Sequence, residues 1–372
     1  MKKFSKIRPI YLLLAVVIVV LGFGFVLLSA QVEAKSYADM QLRAAERMEK
    51  AEAYLKERII SLGIENEPED INQTYLLGPE WSELTSTPGE EGAKRSALNP
   101  EFAAAMVRYY HDAGLEKGDS IAIGTSGSFP GFVIATLCAA TEMELDTRII
   151  ASLGASMHGG TRVDFNVFDI MSTMKEGGFV DYNLLAVSCG SANDAGGSVL
   201  EEILYEGTAQ LSEEICRREA ERTGAEFIHY PYLGDSINRR FELYGKDVKL
   251  FVNIGGASVN SGDSAYTLDF PQGLVLDPPK IPDVPLRGLN YEYAAIGTPV
   301  LNLLNVKLLC QENSIPFDPV PLSHAGETAV YSEVEYNRPL IIGVLVLLAL
   351  DLIIGSVDAI LQKKKKESSS LD

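Results

Sequence analysis

The sequence predicts an α/β fold: a mostly parallel sheet with flanking helices and Gly/Ser-rich strand-to-helix loops, carried between two terminal transmembrane helices. Three observations support this. Apolar segments longer than a globular core needs stand at both ends. Between them, short runs of Val, Ile, Leu and Ala end in Gly/Ser-rich stretches and give way to helical patterns, several times over. The composition of the 372 residues, 47% hydrophobic and 22% charged, is that of a folded protein.

Residues 9–30 read PIYLLLAVVIVVLGFGFVLLSA, without a charge. At 1.5 Å per residue such a helix reaches about 33 Å and crosses a bilayer core of about 30 Å. The alternative is a signal peptide cleaved near Val32-Glu33-Ala34. The apolar run exceeds the roughly 7–15 residues of a signal core, which favours an anchor. Residues 339–361 are apolar except for Asp351 and Asp358 and end at Lys363 to Lys366. Their length and the lysine stop favour a second span over a buried core helix. Lys2, Lys3, Lys6 and Arg8 before the first span, and four lysines after the second, put residues 1–8 and 362–372 in the cytoplasm. The chain carries −19, of which the first flank contributes +4 and the C-terminal segment nothing net, so the middle holds −23. The main domain is expected outside the membrane. Asp351, near the bilayer midplane with no basic partner in the first span, is expected to contact another membrane subunit.

Residues 31–64 read as a stalk helix that can continue from the first span; Met40, Ala44, Met48, Ala51 and Leu55 share one face. The α/β domain spans 65–330. Its first part is turn-rich and holds the basic pair Lys94-Arg95. Asn99-Pro100 opens a helix ending at Gly114, with Asn as cap. The strand–loop–helix unit then recurs at 121–140 (IAIGTSGSFPGFVIATLCAA), 148–160 (RIIASLGASMHGG), 184–197 (LLAVSCGSANDAGG) and 250–262 (LFVNIGGASVNSG). A helix at 198–207 is expected after the third loop, another at 210–223, and a strand at 225–230. Residues 271–297, rich in proline, read as an extended loop, and a last soluble helix is expected from Thr298 to Asn313. The four cysteines are too few for a disulfide scaffold and read as free thiols.

In an open parallel sheet, ligands bind outside the carboxyl ends of the strands. Ser126, Gly127 and Ser128 are therefore expected to face one pocket with Ser156, Gly255 and Gly256. Exposed backbone N–H groups leading into helices favour an anion, and Lys94 and Arg95 are the visible cations for it. Ser128 also suits a plain helix cap. A P-loop and a dinucleotide fingerprint are absent. Gly124-Thr125-Ser126-Gly127-Ser128 approaches the hydrolase elbow but has serine where the second glycine belongs. Ser126 with His158 is the candidate catalytic pair, and Cys189 a weaker nucleophile. Asp194 and Asp263 offer at most a weak cation site; no metal site is indicated, and the residues leave the cofactor unknown. Net charge −19 argues against nucleic acid.

The strings TSTPGEEGAKRSALNPEFAAAMVRYYHDAGLEKGD, IAIGTSGSFPGFVIATLCAA, RIIASLGASMHGG and FVNIGGASVNSG resemble the poly-gamma-glutamate system protein family. The similarity runs from about Leu76 to Leu322, and its most specific piece is Ser126-Gly127-Ser128-Phe129-Pro130. The resemblance implies an accessory role beside the membrane subunits of a poly-gamma-glutamate synthase, and no catalytic residues. The expected function is a membrane-anchored, extracytoplasmic accessory protein binding an anionic ligand or polymer. An extracytoplasmic serine-type hydrolase or transferase, and a structural assembly subunit, are the alternatives.

Overall fold

The computed structural model describes residues 7–198 and 205–368. The chain divides into a small unit, residues 1–35 with 332–372, and a large unit, residues 36–331. Lys2, Lys3 and Lys6, and most of the helix expected at 198–207, lie outside the described residues.

The small unit pairs α1 (Pro9–Leu28) with a C-terminal helix, Arg338–Ser368. Both are long and apolar enough to cross a membrane. Beside them Gln31–Ala34 and Ser332–Glu335 form an antiparallel ribbon. Gly22 lets the helices close: a Cβ there would lie 2.5 Å from Val344 Cγ1. Arg8 pairs with Asp358 at 3.2 Å. Asp351 is only 5% exposed, and Gly355, one turn on, packs against Tyr11 of α1. The Asp351 Oδ2 is buried with no hydrogen-bond partner among the described residues.

The large unit begins with α2 (Ala38–Ser61). The strand Gln31–Ala34 separates it from α1, so no continuous stalk forms. Its apolar face, Ala44, Met48, Ala51 and Leu55, lies in the main core. Next come α3 (Glu91–Ala97) and α4 (Glu101–Asp112). Asn99 Oδ1 accepts from the Glu101 N–H at 3.1 Å, as a cap should.

The sheet is then built from β1 (Ser120–Ser126), β2 (Asp146–Ser152), β3 (Asn183–Ser188), β4 (Glu226–Ile228), β5 (Leu250–Ile254), β6 (Gly273–Val275) and β7 (Val300–Leu303). Their order is β4-β3-β2-β1-β5-β7-β6, parallel except for β6 against β7. Helices α5 (Pro130–Glu142), α6 (Val167–Glu176), α7 (Thr208–Thr223) and α8 (Leu233–Tyr244) connect the first five strands; α9 (Gly288–Ala295) and α10 (Val306–Glu312) flank β7.

Two cores follow from strand alternation. Ile121 and Ile123 face α2, α4 and α5 in the larger core; Ala122, Ile150 and Phe251 face α8 and α9 in the smaller. Helices on both faces explain why the strands read as continuous apolar runs.

Two expectations fail here. The segment 271–297 is not one loop, since it contains β6 and α9. The helix expected from Thr298 begins only at Val306, behind Asn305, whose side chain accepts from the Leu308 N–H. Val300–Leu303 is wholly buried between β5 and β6, and burial on both faces of a sheet makes so short an apolar run a strand.

Candidate functional site at the strand-order reversal

From β1 the chain winds outward through β2 and β3 to β4; it then returns to lay β5 on the other side of β1. Such a reversal leaves a crevice at the carboxyl ends of the two strands. Here it is a cleft of about 420 Å³, lined from the loops after β1, β2, β3, β5 and β7 and from the segment 86–94.

Close backbone approach shapes its floor. The Gly127 N–H donates to the Gly154 carbonyl at 3.1 Å, and a Cβ on Gly127 would stand 2.8 Å from the Leu153 carbonyl. The loops after β1 and β2 therefore touch, and only glycine fits between them. Ser128 Oγ accepts the Ser156 N–H at 3.1 Å. Ser126 Oγ accepts the Ser128 N–H at 3.4 Å. Gly255, at φ +89°, passes so near that a Cβ would be 2.7 Å from Ser126 Oγ. The thirteen-residue α5 starts at this wall, with the positive end of its dipole toward the cleft.

Lys94 enters from α3. Gly131 makes this possible: a Cβ there would lie 2.1 Å from the Ala97 carbonyl, so α3 rests directly on α5. Lys94 is 3% exposed. Its Nζ donates to Ser156 Oγ at 2.5 Å and to the Ser128 carbonyl, and sits 3.7 Å from the centre of the Phe129 ring. Burial brings its amine down to about 7, and no carboxylate offsets that burial. At the rim, Lys307 pairs with Glu90 at 2.7 Å.

Of the residues expected at the site, Lys94, Ser126, Ser128, Ser156 and Gly256 line the cleft; Gly127 and Gly255 shape it from behind. Arg95 does not reach it. Its guanidinium makes two 2.7 Å bonds to Asp318 and one of 2.8 Å to the Glu69 carbonyl. Among the described residues no hydrogen bond joins Ser126 to His158. His158 is outside the cleft lining, and its buried Nδ1 has no partner among the described residues. Cys189 is buried, a free thiol like Cys138, Cys216 and Cys310, and its Sγ lies 4.0 Å from His229 Nδ1.

Asp194 is no cation ligand. Arg240 of α8 holds it in a buried ion pair, 2.7 Å from Nη1 to Oδ2, and Ser188 Oγ donates to Oδ1 at 2.8 Å. No metal-ligand cluster is found among the described residues. Ser86, Thr87, Ser191, Ser258 and Asn305 also line the cleft and were not anticipated. Ser191 and Ser258 belong to the recurrent loops, a signal that was present. Ser86 and Thr87 come from a turn-rich stretch with no periodicity to place it.

Comparison with family models, with curated proteins and with solved structures finds no match to this chain.

Proposed function

We propose that the chain is a membrane-anchored accessory protein of poly-gamma-glutamate synthesis or export, whose large unit binds an anionic ligand outside the membrane. The observation that supports this best is Lys94: a buried cation without a carboxylate, at the floor of a cleft lined with serine hydroxyls. Desolvating an unpaired charge costs several kcal/mol, which an arriving anion offsets. The Gly/Ser loops add hydroxyl and backbone donors, and the α5 terminus favours the same sign of charge.

The sequence resemblance supplies the polymer, and the carboxylates of gamma-linked glutamate are the ligand class. The −23 of the middle segment opposes this at long range only. Beyond a Debye length of about 8 Å it is screened, whereas contacts inside the cleft are not. Both termini are cytoplasmic in this reading, supported by the basic flanks, and the two apolar helices join the synthase membrane subunits.

Calorimetric titration of the detergent-solubilised full chain with a gamma-linked glutamate tetramer tests the binding. We expect saturable binding that weakens as pH rises through about 7, where Lys94 loses its charge, and that disappears in Lys94→Met. Equal affinity in Lys94→Met would overturn it. For the topology, a reporter fused after residue 368 is expected to be active only in the cytoplasm.

A further inference from the structure

The geometry points to a Ser156–Lys94 dyad that carries out acyl transfer on an amide or ester carbonyl of the anionic ligand, with Ser156 as nucleophile and Lys94 as general base. This rests on the cleft being the ligand site. Four observations single out these two residues. Lys94 Nζ is 2.5 Å from Ser156 Oγ. Ser156 Oγ is the one side-chain hydroxyl bonded to Nζ among the described residues, because Ser128 meets Nζ through its carbonyl and turns its own Oγ to the Ser156 N–H. Both residues line the cleft, so a bound carbonyl has access. The third neighbour of Nζ is the Phe129 ring, which excludes water from the amine and offers no acid to hold its proton.

A lysine works as a base when burial lowers its proton affinity into the neutral range, and burial brings Lys94 to about 7. The neutral amine takes the Ser156 proton as Oγ adds to the carbonyl carbon. The tetrahedral adduct then collapses. The bond to the leaving nitrogen or oxygen breaks, that atom takes the proton back from the Lys94 ammonium, and an acyl-Ser156 ester remains. Water, or an acceptor amine, adds to the ester carbonyl. Its proton passes through Lys94 to Ser156 Oγ, which leaves. With water the product is a carboxylic acid; with an amine it is a new amide. Such serine–lysine pairs are a known variant of the triad logic.

The test is labelling of the full chain with a fluorophosphonate probe, with the adduct located by peptide mass spectrometry. We expect phosphonylation at Ser156, at a rate that rises with pH through about 7 in the wild-type protein. Lys94→Arg, which keeps a cation but provides no base, is expected to lose about 100-fold or more in rate; Ser156→Ala is expected to show no adduct. Absence of an adduct at Ser156, or a wild-type rate flat between pH 5.5 and 8.5, overturns the dyad whatever the variants do. Titration with the gamma-linked tetramer separates the two readings. Binding without labelling leaves the binding site and removes the dyad. Labelling without binding retains a dyad and removes gamma-linked glutamate as its ligand.

Discussion

Arg240 and Asp194 meet in a two-pronged ion pair, Nη1 to Oδ2 at 2.7 Å and Nη2 to Oδ1 at 3.1 Å, with side chains 1% and 2% exposed. The same guanidinium takes Ser188 Oγ at 2.6 Å and Ser152 Oγ at 3.3 Å. One α8 residue thus ties the ends of β2 and β3 to the loop that carries Ser191 into the cleft. Ser191, Asn193 and Asp194 all adopt positive φ, a strained run that this network holds in place.

Arg240→Leu leaves the Asp194 carboxylate buried and uncompensated. We expect a loss of about 3–5 kcal/mol in unfolding free energy, read as a lower denaturant midpoint. A loss under about 1 kcal/mol would mean that the loop does not depend on the pair.

Lys94 gives the stability a pH dependence of known sign. Its folded pKa is about 7 against 10.5 for an ordinary lysine, so between these values the unfolded chain binds more protons and stability rises with pH. The burial penalty is full below pH 7 and gone above 10.5. Lys94→Met is therefore expected to exceed wild-type stability at pH 6, with its advantage shrinking by about 2 kcal/mol from pH 7 to 9. Parallel wild-type and Lys94→Met curves over that range would contradict this.

Gly131→Ala tests the contact that delivers Lys94. The added Cβ, 2.1 Å from the Ala97 carbonyl, must push α3 off α5. We expect a cost of about 1–3 kcal/mol and weaker binding of the gamma-linked tetramer at pH 6. Unchanged binding would show that Lys94 reaches the site without this approach.

In the small unit, the close approach at Gly22 is checked by cysteine cross-linking. A Cβ at Gly22 lies 3.3 Å from Val344 Cβ, near the separation of about 3.5–4.5 Å that disulfides span. Gly22→Cys with Val344→Cys is expected to cross-link within one chain on oxidation in membranes. Only intermolecular products, or none, would separate the helices.

The strand–loop–helix recurrence was legible because buried parallel strands write themselves as short apolar runs. Serines 126, 128 and 156 came with it, being attached to those runs. The burial of Lys94 was not legible. In an acidic, turn-rich segment Lys94 and Arg95 read alike, as two candidate cations of the pocket, and nothing in the sequence says which of them is buried. Only the Gly131–Ala97 contact, between residues 34 apart along the chain, sets one lysine inside and its neighbour against Asp318. Asp194 hid its role in the same way, since its partner Arg240 is 46 residues away. Val300–Leu303 was misjudged because four apolar residues behind Thr-Pro fit a helix start as well as a central strand.

The cleft as the ligand site is tested most directly by hydrogen–deuterium exchange of the full chain, with and without the gamma-linked glutamate tetramer at pH 6. We expect added protection at 86–94, 126–129, 154–158 and 255–258, and little elsewhere in the large unit. Protection confined to other segments under saturating ligand, or none at all, would contradict the account.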